Sequence, residues 1–275
     1  MFRRPNRTIV PQSLPPKGLS VLAAAELLGD GKRAIAAQII DLAVRKAITI
    51  APLDVSRRNK RGFVLTYRSM DGLGVDETEF MRALFERPEP GQHLVVEPGR
   101  ERKVGAALRE PHKRAAARLV VGGLARARHW YERAPWGAQP LVPLAAGHPH
   151  VDYLWGVRDY IALAEKDRLA FLQSPQGARL RHDDSAQAEI LVLNERLLAL
   201  AVLFGLERMW AQQLGLHAQS VTAVDPHALE LLDMLWIVDG DVLEGLGELV
   251  ELADLFDGVG AIFGGLFEII GSLSP

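Results

Sequence analysis

Cysteine is absent from all 275 residues, which removes disulfides, thiol nucleophiles and thiolate metal sites at once. No stretch reaches the 18 consecutive apolar residues that signal a membrane helix. The basic opening MFRRPNRTIVPQS lacks the apolar core of a secretory signal. Catalytic signatures are equally scarce. There is no G-x-S-x-G, and GDGK at Gly29 to Lys32 is followed by Arg33 where a phosphate loop needs Ser or Thr. A stop for one helix and a cap for the next explains that stretch better. His148, His150 and Asp152 have no second ligand cluster at metal-like spacing, and Asp239, Gly240 and Asp241 lack the other EF-hand ligands. Asp183 and Asp184 are loop acids. These absences lead us to expect no enzyme, no metal and no cofactor.

The last thing missing is positive charge in the C-terminal half. No lysine or arginine follows Arg208. Residues 1–137 carry 25 cations against 14 carboxylates, whereas residues 138–275 carry 7 against 20, although the whole chain is only at -2. Such asymmetry points to a basic face that meets a polyanion, nucleic acid or anionic lipid, or that meets the acidic half of its own chain.

What is present is chiefly hydrophobic helix. Every residue from 197 to 206 except Gly205 is apolar, and a helix apolar on all sides is a buried one. Ten residues cannot cross a bilayer, which needs about 20. This stretch, within NERLLALAVLFGLERMWAQQLG, is therefore expected to run through the middle of a helical domain. Gly205 is expected to let another helix approach closely.

Upstream, residues 1–18 read as an arm. Ser20 caps a helix over residues 21–28 that Gly29 ends, and Asp30 is expected to cap a second over residues 32–46, with Ile35, Ile39, Leu42 and Ala43 as its stripe. AITIAP, SRRNKRG and FVLTY follow as strand, turn and strand, then a helix over residues 76–86. Helix, helix, strand, basic turn, strand, helix is the order of a winged-helix-like domain, with the hairpin as the wing. Residues 88–133 read as a connection with one short strand and then two basic helical pieces. In the second piece Leu119, Leu124, Ala127 and Trp130 share an apolar face. Residues 134–150 hold four prolines and mark a linker. Leu154, Val157 and Ile161 open a helix at residues 151–172 that should pack on the central one. A helix whose face carries Val242, Leu246, Leu249, Ala253 and Phe256 has Asp241, Glu244, Glu248 and Glu251 on another. Glycines four apart, at Gly260 and Gly264, favour close helix contact near the end.

The expected architecture is thus mainly α. A winged-helix-like domain (19–87) and a basic helical extension (88–133) precede the linker (134–150) and an acidic all-helical domain (151–275). Arg57, Arg58, Lys60 and Arg61 at the hairpin tip form the best functional patch, since four cations in five residues suit phosphate contacts. Arg33 and Lys46 are expected to extend it. Glu165, Asp167 and Arg168, with Glu207 and Arg208, are expected to form an ion-pair network between adjacent helices.

Four stretches together carry a family resemblance: residues 15–50 (PPKGLSVLAAAELLGDGKRAIAAQIIDLAVRKAITI), RALFE at 82–86, VRDYIALAEKDRLAFLQSPQGA at 157–178, and LNERLLALAVLFGLERMWAQQLG at 193–215. The chain resembles the cytoplasmic part of bacterial predicted membrane proteins of the domain of unknown function family 2207, actinobacterial type. The resemblance implies a winged-helix-like segment on the cytoplasmic side of the cell membrane and supplies no catalytic residues. Where that family has membrane helices, after the equivalent of Pro135, this chain has its proline-rich segment. That leaves two expectations, a naturally shortened relative or one whose membrane segments were removed. The function expected is a non-enzymatic cytoplasmic interaction module with the wing facing an anionic membrane surface or a protein partner, self-association included. A nucleic-acid-binding winged helix is the first alternative and a ligand-binding helical domain the second. No small-molecule substrate is identified.

Overall fold

The computed structural model describes residues 18–57, 60–97, 101–129, 141–172 and 197–206. Its elements are α1 (Val21–Leu28), a 3-10 turn (Gly31–Arg33), α2 (Ala34–Val44), β1 (Ile48–Arg57), β2 (Lys60–Tyr67), α3 (Val75–Leu84), β3 (His93–Val96), α4 (Glu101–Val121), β4 (Ala125–Ala127), β5 (Leu141–Pro143) and α5 (His148–Leu172). Residues 197–203 form one further helical stretch, α6. The described region is helix-rich with a small antiparallel sheet in the order β1-β2-β3, and β4 and β5 make a separate two-stranded pair.

Local chemistry sets the helix ends. Ser20 caps α1 by accepting the Ala23 N–H at 3.1 Å, as its position before an apolar run demands. Four helices then stop the same way, with a left-handed residue whose N–H and whose successor's N–H fold back on the last turn. In α1 the left-handed residue is Gly29, in α4 Gly123, in α6 Gly205 and in α2 Lys46. Glycine takes that conformation freely. Lys46, at φ 58, does so against a Cβ clash of about 1 kcal/mol or more.

Several expectations are corrected here. Asp30 makes no side-chain cap; the chain first winds through the 3-10 turn, and α2 begins at Ala34 and ends at Val44. The two basic helical pieces are one helix of 21 residues with Pro111 inside it. That helix stops at Val121 rather than continuing to Trp130, because Gly123 turns the chain into β4. Within the supposed linker, β5 pairs with β4 and α5 already starts at His148. Among the described residues the nearest atoms to Gly205 are those of the Arg33 guanidinium rather than a neighbouring helix. Gly205 terminates α6, with Leu206 N donating to Ala201 O at 2.8 Å. Residues beyond 206 lie outside the described set, and the acidic helices expected there lie with them.

The largest correction concerns the core. One hydrophobic cluster takes in Leu22 of α1, Ile35, Ile39 and Ile40 of α2, Phe63 and Leu65 of β2 and Phe80 of α3. The same cluster holds Leu154, Val157 and Ile161 of α5 and all of residues 197–203. The proline-rich segment therefore does not separate two cores. Every residue of α6 is buried, and so is every residue of α2 from Ala34 to Ala43. Each such Leu or Ile contributes roughly 1.5–3 kcal/mol by leaving water. The expected packing of α5 near the central helix holds, and Trp155 stacks on Phe204 with centroids 6.3 Å apart. Among the described residues no helix is long and apolar enough to cross a membrane.

Candidate functional site

Antiparallel pairing decides the shape of the hairpin. Strand β2 pairs with β3 only from Phe63 to Thr66, and the last partner, Phe63, lies opposite Val96. Among the described residues the pair β1–β2 continues alone beyond Phe63, through Leu53 opposite Gly62, to Ser56 opposite Arg61 and Arg57 opposite Lys60. Between Leu53 and Ser56 the register shifts, leaving Asp54 and Val55 as an irregularity on β1. Such bulges bend and twist a ribbon. At about 3.3 Å per residue, the three residues Lys60 to Gly62 carry a two-stranded arm on the order of 10 Å past the third strand.

Arg57, Lys60 and Arg61 occupy the paired end of this arm, so the strands reach further into the basic stretch than the expected SRRNKRG turn allows. Arg58 lies outside the described residues. Three cations on paired backbone positions form a concentrated positive end on an otherwise thin element.

The other two cations assigned to this patch sit elsewhere. Lys46 lies at the opposite end of the hairpin, before the Ile48–Tyr67 pair, about 30 Å along β1 from the tip at strand spacing. Arg33 is engaged at the end of α6. Its Nη1 donates to the Val202 carbonyl at 3.4 Å, and a Cβ on Gly205 would stand 3.1–3.4 Å from its guanidinium atoms. A cation at a helix C-terminus meets carbonyls that lack intrahelical partners and the negative end of the helix dipole. Arg33 thus caps α6 across 169 residues of sequence, and no spacing rule could have announced that.

Of the expected ion-pair network, Glu165, Asp167 and Arg168 fall on the α5 backbone, where no side chain is described. Glu207 and Arg208 lie outside the described residues. The charge networks that the structure does describe surround α3. Asp76 accepts from Ser20 Oγ at 2.6 Å and from Arg118. Glu79 pairs with Arg118 as well. Glu77 accepts the Gly74 N–H at the helix start and an Arg45 N–H at 2.8 Å. Arg45 also bonds Asp41 at 3.3 Å, and Gln38 Nε2 donates to the same carboxylate. Asp76 and Glu77 stand in the first turn of α3, where the helix dipole favours carboxylates, and they also tie α3 to α1, α2 and α4.

Burial holds the Asp41 carboxyl above its ordinary value, reinforced by the Glu77 charge and opposed by Arg45 and Gln38. Burial disfavours charge on Arg45 and Arg118, yet their carboxylate partners outweigh it and both pKa values rise. A further contact, His112 Nε2 to Glu26 Oε1 at 2.7 Å, joins α4 to α1, with Glu26 buried and His112 half-buried. Most of these groups pair with one another, as structural charges do. His148, His150 and Asp152 stand on α5, and no three potential ligands gather among the described residues.

The face of the three-stranded sheet turned from the core was also missed. The register aligns Thr49, Thr66 and His93 in one row and Ala51, Val64 and Val95 in the next. None is charged, and Val95 is 49 % exposed. Compared with known proteins, the chain matches no family model, no curated protein and no solved structure.

Proposed function

We propose that this chain is a non-enzymatic interaction module whose basic hairpin arm rests on an anionic membrane surface at the cytoplasmic face. One observation carries the reading: the strands holding Arg57, Lys60 and Arg61 continue past the third strand of the sheet. The resemblance of the quoted stretches to a family of predicted membrane proteins supports the choice of lipid as the polyanion. The order α1, α2, β1, β2, α3, β3 supports reading residues 19–87 as winged-helix-like, with the arm as its wing.

The burial of α2 weighs against the nucleic-acid alternative. A helix that reads DNA must offer one face to the major groove, and α2, the helix before the hairpin, is covered by core on every side from Ala34 to Ala43. Contacts through the arm alone are left, and these suit phosphate groups without reading bases.

Vesicle co-sedimentation tests the proposal. The protein is mixed with vesicles of phosphatidylcholine alone or with phosphatidylserine, alongside a variant carrying Arg57→Glu, Lys60→Glu and Arg61→Glu. At about 1 kcal/mol per cation near an anionic surface, each lost cation weakens binding roughly fivefold. Binding to the anionic vesicles that disappears in the variant is the expected result. Equal partition to both vesicle types sinks the membrane reading, and retention of a duplex oligonucleotide at ~150 mM salt in its place would install the nucleic-acid one.

A further inference from the structure

The strand register sets two cations opposite one another at the far end of the arm. Arg57 is the direct antiparallel partner of Lys60, and like charges at directly opposite positions destabilise a strand pair. Residues alternate between the two faces of a strand. Arg57 and Lys60 therefore share one face of the ribbon, while Arg61, opposite Ser56, takes its place on the other. The acids of the sheet do not offset the pair by position. Asp54, the one carboxylate of β1 and β2, falls in the irregular stretch and has no register partner. Continuing the pairing of Phe63 with Val96 brings Glu97 level with Gly62, diagonal to Lys60. Diagonal positions stand about 7–8 Å apart, against about 5 Å for a direct pair.

We propose that Arg57 and Lys60 together hold one phosphate group and that they prefer a phosphomonoester to a diester. This deepens the membrane reading, on which it rests for its lipid source, by naming the pair of residues and the headgroup chemistry. A phosphate seated between directly opposed cations offsets their repulsion, and its charge decides how fully. A monoester carries about -1.5 to -2 at neutral pH, whereas a diester carries a single charge. Arg61, on the other face, adds to the general positive field without choosing between the two.

Partition of the full-length protein between two kinds of vesicle tests this. Phosphatidylcholine vesicles carry either phosphatidic acid, a monoester, or phosphatidylserine, a diester, at matched surface charge. Matching removes the general field, so the local pairing should show as binding about fivefold tighter to phosphatidic acid, the effect of one further cation contact. Arg57→Gln and Lys60→Gln should each abolish that preference, whereas Arg61→Gln should weaken binding to both vesicles alike. Equal binding to the two vesicles overturns the proposal, and so does a preference that survives Arg57→Gln or Lys60→Gln or is lost in Arg61→Gln. Soluble glycerol 3-phosphate, added at constant ionic strength, separates the sources of the phosphate. Displacement from phosphatidic acid vesicles extends the site to free phosphomonoesters, and undiminished binding assigns it to the headgroup. Failure to bind either vesicle sinks the membrane reading instead. The backbone amide resonances of Arg57 and Lys60, titrated with glycerol 3-phosphate, then decide the site: saturating shifts uphold it and unmoved resonances overturn it.

Discussion

The two ends of α2 lead to opposite kinds of structure. Before it, the Gly31–Arg33 turn places Arg33 on α6, and the helix and its neighbour are sealed together with every side chain of residues 197–203 buried. After it, Lys46 turns the chain into a hairpin whose far end outruns the sheet that supports it. Around α2 and α3 the described charges pair across elements: Arg45 with Asp41 and Glu77, and Arg118 with Asp76 and Glu79. On the arm the cations outnumber nearby carboxylates, of which Asp54 is the one within the strands. The buried charge pairs and the projecting arm are thus unlike parts of one fold, and substitutions in the two should have unlike effects.

The largest difference is expected from paired substitutions. Leu200→Ala in the middle of α6 should lower unfolding free energy by about 2–5 kcal/mol, since the cavity cannot collapse inside a closed core. The three-site charge reversal of the arm should change it by less than about 0.5 kcal/mol while abolishing vesicle binding. Urea denaturation of both variants reads the contrast directly, and an arm variant that unfolds as easily as Leu200→Ala would erase it.

Gly205→Ala comes next. The left-handed φ of 70° and a Cβ 3.1 Å from Arg33 Nη1 should together cost about 1–2 kcal/mol, with Arg33→Ala losing part of the same amount and the double variant less than the sum. Additive losses in a double-mutant cycle would show that Arg33 does not cap α6.

In the opposite direction, Lys46→Gly should stabilise by up to about 1 kcal/mol, because glycine relieves the left-handed clash at the end of α2. A rise in thermal midpoint of up to about 2 °C is the reading; an unchanged or lower midpoint would mean that the contacts of the lysine outweigh its strain.

The smallest effect is one of pH. An acid whose folded pKa lies above its unfolded one stabilises the fold below the unfolded value, here 3.8 for Asp41, and that contribution is lost as pH rises through the folded value. Asp41→Asn keeps a neutral group throughout. Its stability relative to the parent should therefore climb as pH rises above about 3.8, which a series of urea midpoints detects. A parallel pair of curves would remove burial as the dominant influence on Asp41.

How much of this was legible beforehand differs by element. Helix α1 was read to the residue, because Ser20 and Gly29 are strong local signals on either side of an apolar run. The hairpin was found from β-branched residues and its basic turn, but its strands run deeper into that turn, since pairing with the opposite strand continues past the apolar residues. The break at Gly123 was missed because the apolar spacing through Leu124 and Ala127 suits a helix as well as the strand that forms. The arm cations Arg57, Lys60 and Arg61 were visible as a cluster in sequence. That Arg33 and Lys46 stand apart from them was not.

By itself the sequence determined where chain ends of elements fall when a cap, a glycine or a β-branched run says so, which segments must be buried, and how unevenly charge is distributed. These are properties of neighbours within a few residues. The tertiary structure alone decided that residues on both sides of the proline-rich segment share one core, that Arg33 closes α6, and that Asp76 and Glu77 hold three other helices to α3. Each of those depends on contacts between residues far apart in the chain, where burial of many apolar side chains at once selects the arrangement and no local preference encodes it.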